Sequence, residues 1–496
     1  MENKTLEPQK ADQQQKQLLT AFGAITLLSI FSGIISGYYV LAGLPVALLI
    51  GYITLVDFRA LFFFLLAMIP FSTEVELPGG FGTDLPAEPF MILLSGVFGI
   101  FVLKNGLKLP FNKYLIHPIS LALLAHLFWI FITCFSSGEP FVSIKFFLAK
   151  SWYVLTFFAL AAYLIRTKAD QKKFFWWIIL PMIFTMLFII SKHAALGFSF
   201  ADSNRVVRPF YRNHVNYASL LALFFPYIWA ARFWYKKKTF KNRLLLLLIP
   251  FFLFAIQLSF TRASYLAILM AVGVYFIIRF HLMKPVLILG TAVLIGFAGY
   301  VVKNDNYLDY APEYKKTVTH YNFDNLIEAT YKGEDISTME RVYRWVAGMH
   351  MIQERPLMGF GPGNFYNFYR SYTVTSFETY VSDNPEKSGI HSYYLMTMVE
   401  QGAPGLLFFG ILCFVVLAYG ELIYHQTKDV VQKKWIMACT LSFFIILALC
   451  LINDLVETDK VGPFFFMNMA FLLNQDIKNR RDQGTSRSSA VKQRNS

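Results

Sequence analysis

Four polar segments interrupt an otherwise apolar sequence, and they contain the residue types that could do chemistry. The first carries three arginines in close succession, Arg205, Arg208 and Arg212, just before an apolar run. Guanidinium groups are planar, permanently charged and able to hold phosphate with two hydrogen bonds, so this cluster is typical of a phosphate or diphosphate site. Anchoring to lipid head groups at a membrane surface is the alternative interpretation.

The second segment is a short turn between two apolar runs, Ser259-Phe-Thr-Arg262. Arg262 has apolar sequence on both sides, which predicts that it lies at or inside the membrane boundary. An ionisable residue at that depth is costly and is a candidate for function. The competing interpretation is a side chain that only extends toward the interface to keep its charge in water.

The third segment is predicted to begin with a helix that carries two arginines. Ser337 and Glu340 have the spacing of a capping box, so a helix should begin there, and it should end before Pro356. Apolar residues recur at helical spacing and predict a face that packs on the membrane domain or lies in the interface. These residues are Val342, Trp345, Met349 and Ile352. Arg341 and Arg344 are expected one turn apart on a more polar side.

A glycine-rich loop follows this helix. Gly359, Gly361 and Gly363 permit tight turns and close backbone approach, so we expect a hinge or a backbone contact there. The spacing does not predict a dinucleotide site, because no strand precedes it. The alternative interpretation of helix and loop together is an amphipathic cap over a helical bundle, which would need no chemistry.

The fourth segment begins at His391, in front of a further helical stretch. A lone histidine is more often a structural residue than a catalyst. At the water-facing mouth of a membrane cavity, beside several arginines, a neutral imidazole can accept a proton from a hydroxyl group near neutral pH. His391 is therefore the candidate base, with Arg262 as its catalytic partner.

Composition places these segments in a membrane protein. The chain has 496 residues, of which 56% are hydrophobic and 15% are charged, and its mean hydropathy is +0.47. A soluble domain cannot bury that much apolar surface, so we predict a polytopic membrane protein whose first span, near Leu18, is not cleaved. The four cysteines lie in apolar runs and are expected to be packing residues. No metal or cofactor is expected, since no cluster has metal-ligand spacing.

The apolar runs predict an all-α fold with about 12–14 transmembrane helices. About eleven of these helices are expected within residues 1–302, before a large, partly helical loop over 303–390. Further transmembrane helices are expected over 391–475, and a basic, disordered tail over 476–496.

The distribution of basic residues predicts the orientation. One alternating set of loops and tails holds 28 of the 45 lysine and arginine residues, so both termini are expected in the cytoplasm. Because topology accounts for most of the net charge of +14, a nucleic-acid partner is rejected. The arginines of the first three segments break this trend, since they are predicted on the far side. Binding of an anionic ligand would explain their position.

Taken in order, the four segments resemble the O-antigen ligase and polymerase superfamily, whose members have many membrane helices and one large periplasmic loop. Leu258 through Arg262 resembles the family's Ser/Thr-rich arginine turn. Arg341 through Phe365 resembles its loop helix and glycine-rich stretch. His391 through Leu395, followed by Glu400-Gln-Gly402, resembles its His-Asn/Ser-x-x-Leu segment and Glu-x-Gly.

An earlier motif of the family resembles Phe210 through Ala218 of this chain. Where many relatives have glycine in that motif, this chain has Arg208, so the equivalent arginine is either Arg205 or Arg208. The resemblance implies that these arginines bind a diphosphate together with Arg262, and that Arg341 and Arg344 assist from the loop.

The resemblance implies transfer of a glycan from a polyprenyl (undecaprenyl) diphosphate donor to an acceptor hydroxyl. It places the reaction on the periplasmic face of the bacterial inner membrane, without metal or nucleotide and with inversion. The acceptor can be a lipid, as in a ligase, a growing polysaccharide, as in a polymerase, or a protein side chain. A transporter of lipid-linked sugars is the alternative from another class, but the internal repeats and mid-membrane charges expected of one are not visible in the sequence.

Overall fold

A computed structural model describes residues 6–37, 41, 43–77, 81–106, 111–303, 336–373 and 388–494. Much of the predicted large loop, residues 304–335 and 374–387, lies outside the described residues. The chain forms two compact units, Met1–Leu65 and Leu66–Ser496. All of the candidate site residues named above belong to the second unit.

The first unit contains helix α1 (Leu6–Ser36) and most of helix α2 (Leu44–Met68). Within α2, Asp57 has non-helical backbone angles, with φ −148° and ψ 80°. Its carboxylate accepts hydrogen bonds from the backbone N–H groups of Arg59 and Ala60, at 3.0 and 3.3 Å. Asp57 thus caps a new helical stretch, and two apolar runs that the sequence separates form one kinked element.

The second unit is built almost entirely from helices. Those before the large loop are α3 (Ala87–Asn105), α4 (Phe111–Leu115), α5 (Pro118–Phe135), α6 (Pro140–Tyr153), α7 (Ala161–Leu164), α8 (Lys168–Ala194), α9 (Ser203–Val206), α10 (His214–Ala231), α11 (Phe240–Leu258), α12 (Arg262–Arg279) and α13 (Met283–Val302). Those that follow are α14 (Ile336–Glu354), α15 (Phe365–Tyr369), α16 (Tyr393–Gln426), α17 (Val430–Leu449) and α18 (Gly462–Arg494). A π-helical stretch, Val154–Leu160, joins α6 to α7.

Nine helical stretches among the described residues are long and apolar enough to cross a membrane. The predicted all-α, polytopic membrane fold is therefore confirmed. Burial differs between the spans, since 72% of the apolar window in α17 is buried and only 28% of that in α12. α17 is therefore central in the bundle, and α12 presents much of its surface to the lipid.

Aromatic side chains fill the centre of the second unit. The Trp435 ring of α17 lies 4.9 Å from the ring centroid of Tyr227 in α10 and 6.1 Å from that of Phe174 in α8. Phe174 also meets Phe471 of α18 at 4.8 Å, edge to face. Large rings packed in this way bury much apolar area and fix the four helices against each other.

A short hairpin occupies the acidic segment between α2 and α3. Strands β1 (Thr73–Leu77) and β2 (Phe81–Leu85) pair antiparallel, with Thr73 opposite Leu85. The buried Lys460 donates hydrogen bonds to the carbonyls of Ile69 and Ser72, at 2.7 and 2.6 Å, which fixes the base of the hairpin.

The ends of three helices near the candidate site can be compared with the sequence predictions. α14 ends at Glu354, so the helix predicted to end before Pro356 is confirmed. α16 begins at Tyr393 and is kinked at Gly402, where φ is 70° and ψ is −178°. α18 continues to Arg494 through the residues expected to form a disordered tail. No proline interrupts that stretch, so the helix can extend past the apolar run.

Candidate functional site

His391 lies just before α16 and is held by a carboxylate distant in sequence. Its backbone N–H donates to Asp454 Oδ2 at 2.9 Å, and the N–H of Tyr393 donates to the Cys450 carbonyl at 2.9 Å. His391 has a φ of 57°, a left-handed conformation that residues other than glycine adopt rarely. The connection between α17 and α18 therefore fixes the backbone at His391.

Arg344 of α14 faces this segment. It is only 3% exposed, and its Nη2 donates to Ser388 Oγ at 3.4 Å. The side of α14 that carries Arg344 is therefore buried, because it packs against the segment that leads to His391. Arg341, one turn earlier, is half-buried.

Burial and the two arginines together keep the imidazole of His391 uncharged. Burial, followed by the charges of Arg344 and Arg341, lowers the pKa of His391 to about 3. At neutral pH the imidazole is therefore uncharged and retains a nitrogen that can accept a proton. Burial raises the pKa of Asp454 to about 6, against the N–H groups that it accepts and the charge of Arg344. Asp454 is thus mainly anionic at neutral pH.

The N-terminus of α10 connects the arginine turn with the loop helix. The charge of Arg341 acts on the imidazole of His214, the first residue of α10. The His214 carbonyl accepts a long hydrogen bond from the Thr261 hydroxyl at 3.5 Å, and the half-buried Arg262 follows as the first residue of α12. The fold therefore brings together the segments that contain Arg262, Arg341 and His391.

The upstream arginines lie at the edge of this group. Arg205 is 74% exposed and Arg208 is also exposed. Lys192 donates to their backbone carbonyls at 3.3 and 2.9 Å, while Asn204 Oδ1 accepts from the N–H of His214 at 3.1 Å. The backbone around Asn204 is thus hydrogen-bonded to α10. The guanidinium groups of Arg205 and Arg208 lie at the protein surface, where a ligand could reach them.

The glycine-rich loop makes close backbone contacts. Gly359, Gly361 and Gly363 have φ values of 66°, 97° and 78°. A Cβ atom would lie 2.4 Å from the backbone carbon of Glu400 if added at Gly359, and 2.2 Å from Ser137 Oγ if added at Gly361. Any larger residue at these two positions would overlap the protein, so the glycines allow the loop to lie directly on α16 and on the α5–α6 connection.

Glu400 holds the same loop through its side chain. The buried carboxylate accepts hydrogen bonds from the N–H groups of Gly363 and Phe365 at 2.9 and 3.0 Å. Its backbone carbonyl accepts from the N–H of Gly361 at 2.9 Å. These donors offset the cost of burying the carboxyl group, which makes Glu400 a structural support for the loop.

A cavity of about 190 Å³ lies at the start of α16. Its lining includes Asp454, Glu457, Thr397, Phe146 and Tyr366. Part of this wall is a buried network, in which Glu457 accepts hydrogen bonds from Lys150 and from the Tyr393 hydroxyl, the latter at 2.7 Å. Within the described residues, no group of three or more His, Cys, Asp or Glu side chains has a metal-binding arrangement.

Asp454 and Glu457 were not predicted as site residues. Both lie in a short charged stretch between the last two apolar runs, with Asp459 and Lys460 close behind. The alternation of spans places this stretch on the same side of the membrane as His391. That position is the signal from which the two carboxylates could have been found.

Comparison with known proteins shows a match over part of the chain. Residues 244–410 match the family model described as O-antigen ligase. The matched region runs from α11 into α16 and contains Arg262, Arg341, the glycine-rich loop and His391. No curated protein sequence matches the chain.

Proposed function

This chain belongs to the O-antigen ligase and polymerase superfamily, and we propose that it moves a glycan from a polyprenyl (undecaprenyl) diphosphate donor to an acceptor hydroxyl. The family makes it a membrane glycosyltransferase of the ligase or polymerase type. We place the reaction on the periplasmic face of the bacterial inner membrane, with both termini in the cytoplasm. The observation that carries the proposal is the half-buried His391, whose backbone N–H bonds to Asp454 and whose imidazole lies near Arg341 and Arg344 of α14.

In the proposed reaction, the acceptor oxygen forms a bond to the anomeric carbon while the bond from that carbon to the diphosphate oxygen breaks. The bonding electrons leave with the diphosphate, and His391 takes the proton of the acceptor hydroxyl. A base must lie within hydrogen-bond reach of the proton that it accepts, and its neutral form must be available. Attack from the side opposite the leaving group inverts the anomeric carbon.

The arginines have a separate role in this scheme. Negative charge accumulates on the diphosphate as the anomeric bond breaks, and positioned guanidinium groups stabilise it without a metal ion. We assign this role to Arg262 and to either Arg205 or Arg208, with Arg341 and Arg344 contributing from α14. A bound diphosphate would also offset the arginine charges that depress the pKa of His391, and so would make the imidazole a stronger base when the donor is present.

The acceptor distinguishes the members of this superfamily. A lipid acceptor would make the protein a ligase, and the end of a growing polysaccharide would make it a polymerase. A protein hydroxyl would make it a protein O-oligosaccharyltransferase. All three use the donor chemistry described above, and we propose the ligase type first because residues 244–410 match the O-antigen ligase family.

Transfer assays with the purified full-length protein test this function. The reaction would contain a polyprenyl diphosphate glycan and, separately, a lipid, polysaccharide or protein acceptor. We expect Arg262→Ala and His391→Ala each to lower the transfer rate by about 100-fold or more, because each removes charge stabilisation or proton transfer from the transition state.

Arg243→Ala is the matched control. Arg243 is an exposed arginine in the first turn of α11, and it belongs to a loop predicted on the opposite face. Normal transfer by both Arg262→Ala and His391→Ala, with the same thermal stability as wild type, would refute the site assignment. Transport of the intact donor across vesicles without any transfer would favour the transporter instead.

A further inference from the structure

The cavity at the start of α16 contains polar groups for which the proposed chemistry has no use. Phe146 comes from α6, Tyr366 from α15, Thr397 from α16, and Asp454 and Glu457 from the connection between α17 and α18. The fold thus assembles one concave surface from four stretches of sequence. Concave surfaces with aromatic walls and a few convergent polar groups are typical of small-ligand sites.

One oxygen of Asp454, a residue that lines this cavity, has an unfilled hydrogen-bonding capacity. Asp454 Oδ2 accepts the N–H of His391, while Asp454 Oδ1 is buried and has no hydrogen-bond partner among the described residues. Glu457, by contrast, already accepts from Lys150 and Tyr393. A buried acceptor without a donor is costly, so Oδ1 is where a ligand hydroxyl would gain most.

The volume of the cavity and the charge of Asp454 limit the kind of ligand that can bind there. The volume of about 190 Å³ far exceeds the roughly 10–15 Å³ that a single water needs, and it suits one small polar ring better than an extended chain. A carboxylate only accepts hydrogen bonds, so the ligand must donate them. An anionic group would be repelled by Asp454 and attracted to Arg341 and Arg344, which places the donor diphosphate outside this cavity.

We propose that this cavity binds the acceptor through one neutral or amino sugar, whose hydroxyl groups donate to Asp454 and whose ring packs against Tyr366 and Phe146. The inference rests on the proposed glycan transfer and adds the acceptor class to it. Because Asp454 also accepts the backbone N–H of His391, the cavity adjoins the segment that carries the base. A sugar acid is excluded by the same carboxylate.

Asp454→Asn tests the binding role. The asparagine side-chain oxygen can still accept the N–H of His391, so the backbone contact is retained while the negative charge is lost. We expect the KM for a neutral-sugar acceptor to rise about tenfold, as for a lost hydrogen bond to a charged group. The KM for the donor should stay within about twofold of wild type, since the donor binds among the arginines.

Acceptor charge provides a second readout. Wild type should use an acceptor that ends in a neutral hexose better than one that ends in the matching uronic acid. In Asp454→Asn the ratio of kcat/KM for the neutral acceptor to that for the uronic-acid acceptor should fall by about tenfold, because the repelling charge is gone. Glu139→Gln removes a carboxylate from an exposed position at the α5–α6 connection that makes no side-chain cap, and it should leave the preference unchanged.

Tyr366→Ala tests the cavity without a change of charge. Tyr366 is 38% exposed, so its truncation should be tolerated by the fold even if Asp454→Asn is not. It should raise the KM for the acceptor and leave the KM for the donor unchanged. Higher donor KM with unchanged acceptor KM in either variant would overturn the inference.

Binding of the acceptor saccharide alone separates this inference from the proposed function. Isothermal titration of the full-length protein with a neutral oligosaccharide should show binding that both Asp454→Asn and Tyr366→Ala weaken. Binding that is weakened in this way, together with no transfer by wild type, would support the cavity and refute the transferase. Equal binding by wild type and both variants would refute the cavity, whatever the transfer assay shows.

Discussion

Two arginines act on the side chain of His391, and a carboxylate holds its backbone. Burial, with the charges of Arg344 and Arg341, keeps its imidazole neutral, while Asp454 accepts its backbone N–H at a left-handed φ of 57°. The side chain therefore cannot be repositioned by rotation of the local backbone without loss of the bond to Asp454. Such a fixed position is what a base needs if the acceptor hydroxyl is to meet it in one geometry.

The lowered pKa of His391 predicts a pH effect on stability. The folded-state pKa of about 3 lies below the ordinary value of 6.5, so the folded protein resists protonation there. Stabilisation is complete above pH 6.5 and is lost as the pH falls toward 3. At pH 5 this residue should cost roughly 2 kcal/mol of unfolding free energy relative to pH 8.

His391→Gln, which cannot be protonated, isolates that contribution. Unfolding in detergent, followed at pH 8 and pH 5, should show a smaller loss of stability in the variant than in wild type. The raised pKa of Asp454 has the opposite effect on stability, since the stabilisation from this carboxyl group is lost as the pH rises from its ordinary pKa toward 6. Both proteins contain Asp454, so this effect does not alter the comparison. Equal losses in the two proteins would contradict the neutral state of His391.

Single residues of this site differ in how far sequence could predict them. The arginines and His391 could be named because charged side chains are rare in an apolar chain. The burial of Arg344 could not be predicted from sequence, since it depends on the contact between α14 and the segment at Ser388. Asp454 was missed because its partner, His391, lies far from it in sequence, and only the fold brings the two together.

At the level of elements, the loop after α14 and the first turns of α16 are joined by backbone contact. Gly359→Ala should be clearly destabilising, because the new methyl group would overlap the Glu400 backbone and φ would remain positive. Overpacking of this kind costs about 1–3 kcal/mol beyond the conformational term. Transfer activity should fall with stability, measured as the thermal midpoint and the rate at a temperature below it.

Gly363→Ala is the matched control for that prediction. Its φ is also positive, but an added Cβ would lie 3.4 Å from the nearest atom, which is ordinary contact. Only the conformational cost of about 1–2 kcal/mol should appear. Similar losses in both variants would show that backbone conformation, and not the approach to Glu400, explains the glycine at position 359.

Sequence patterns predicted α14 well because its signals are local, namely a capping box and a proline. They failed to predict that two apolar runs would merge in α2, since the kink depends on the side chain of Asp57 accepting its own helix's N–H groups. The face of α14 that packs was only partly predicted. Ile352 is buried as expected, but Ala347 and Met351 are buried beside it, while Trp345 and Met349 are only partly buried.

At the scale of the whole molecule, composition predicts the all-α polytopic fold, and nine of the expected 12–14 spans have candidates among the described residues. The orientation of the helices in the membrane is still a prediction. All four native cysteines are buried, so they should give little background in labelling experiments. Glu139→Cys lies on the side of the glycine-rich loop, because the N–H of Gly138 donates to the Phe360 carbonyl at 3.0 Å. Lys237→Cys lies in the basic loop predicted to be cytoplasmic.

An impermeant maleimide should label Glu139→Cys in intact spheroplasts and should label Lys237→Cys only after the membrane is opened. The reverse pattern would place the site on the cytoplasmic face. It would also remove the basis for a periplasmic reaction, since the arginines would then follow the positive-inside trend.

The kink in α16 has a mechanical consequence. The glycine-rich loop bonds to α16 on both sides of Gly402, through Phe360 to Val399 at 3.0 Å and through Pro356 to Ala403 at 2.7 Å. Because these hydrogen bonds lie on both sides of the kink, they oppose straightening of α16 at Gly402. A displacement of α14 would therefore be transmitted through the loop to the transmembrane part of α16, so that the two elements move together.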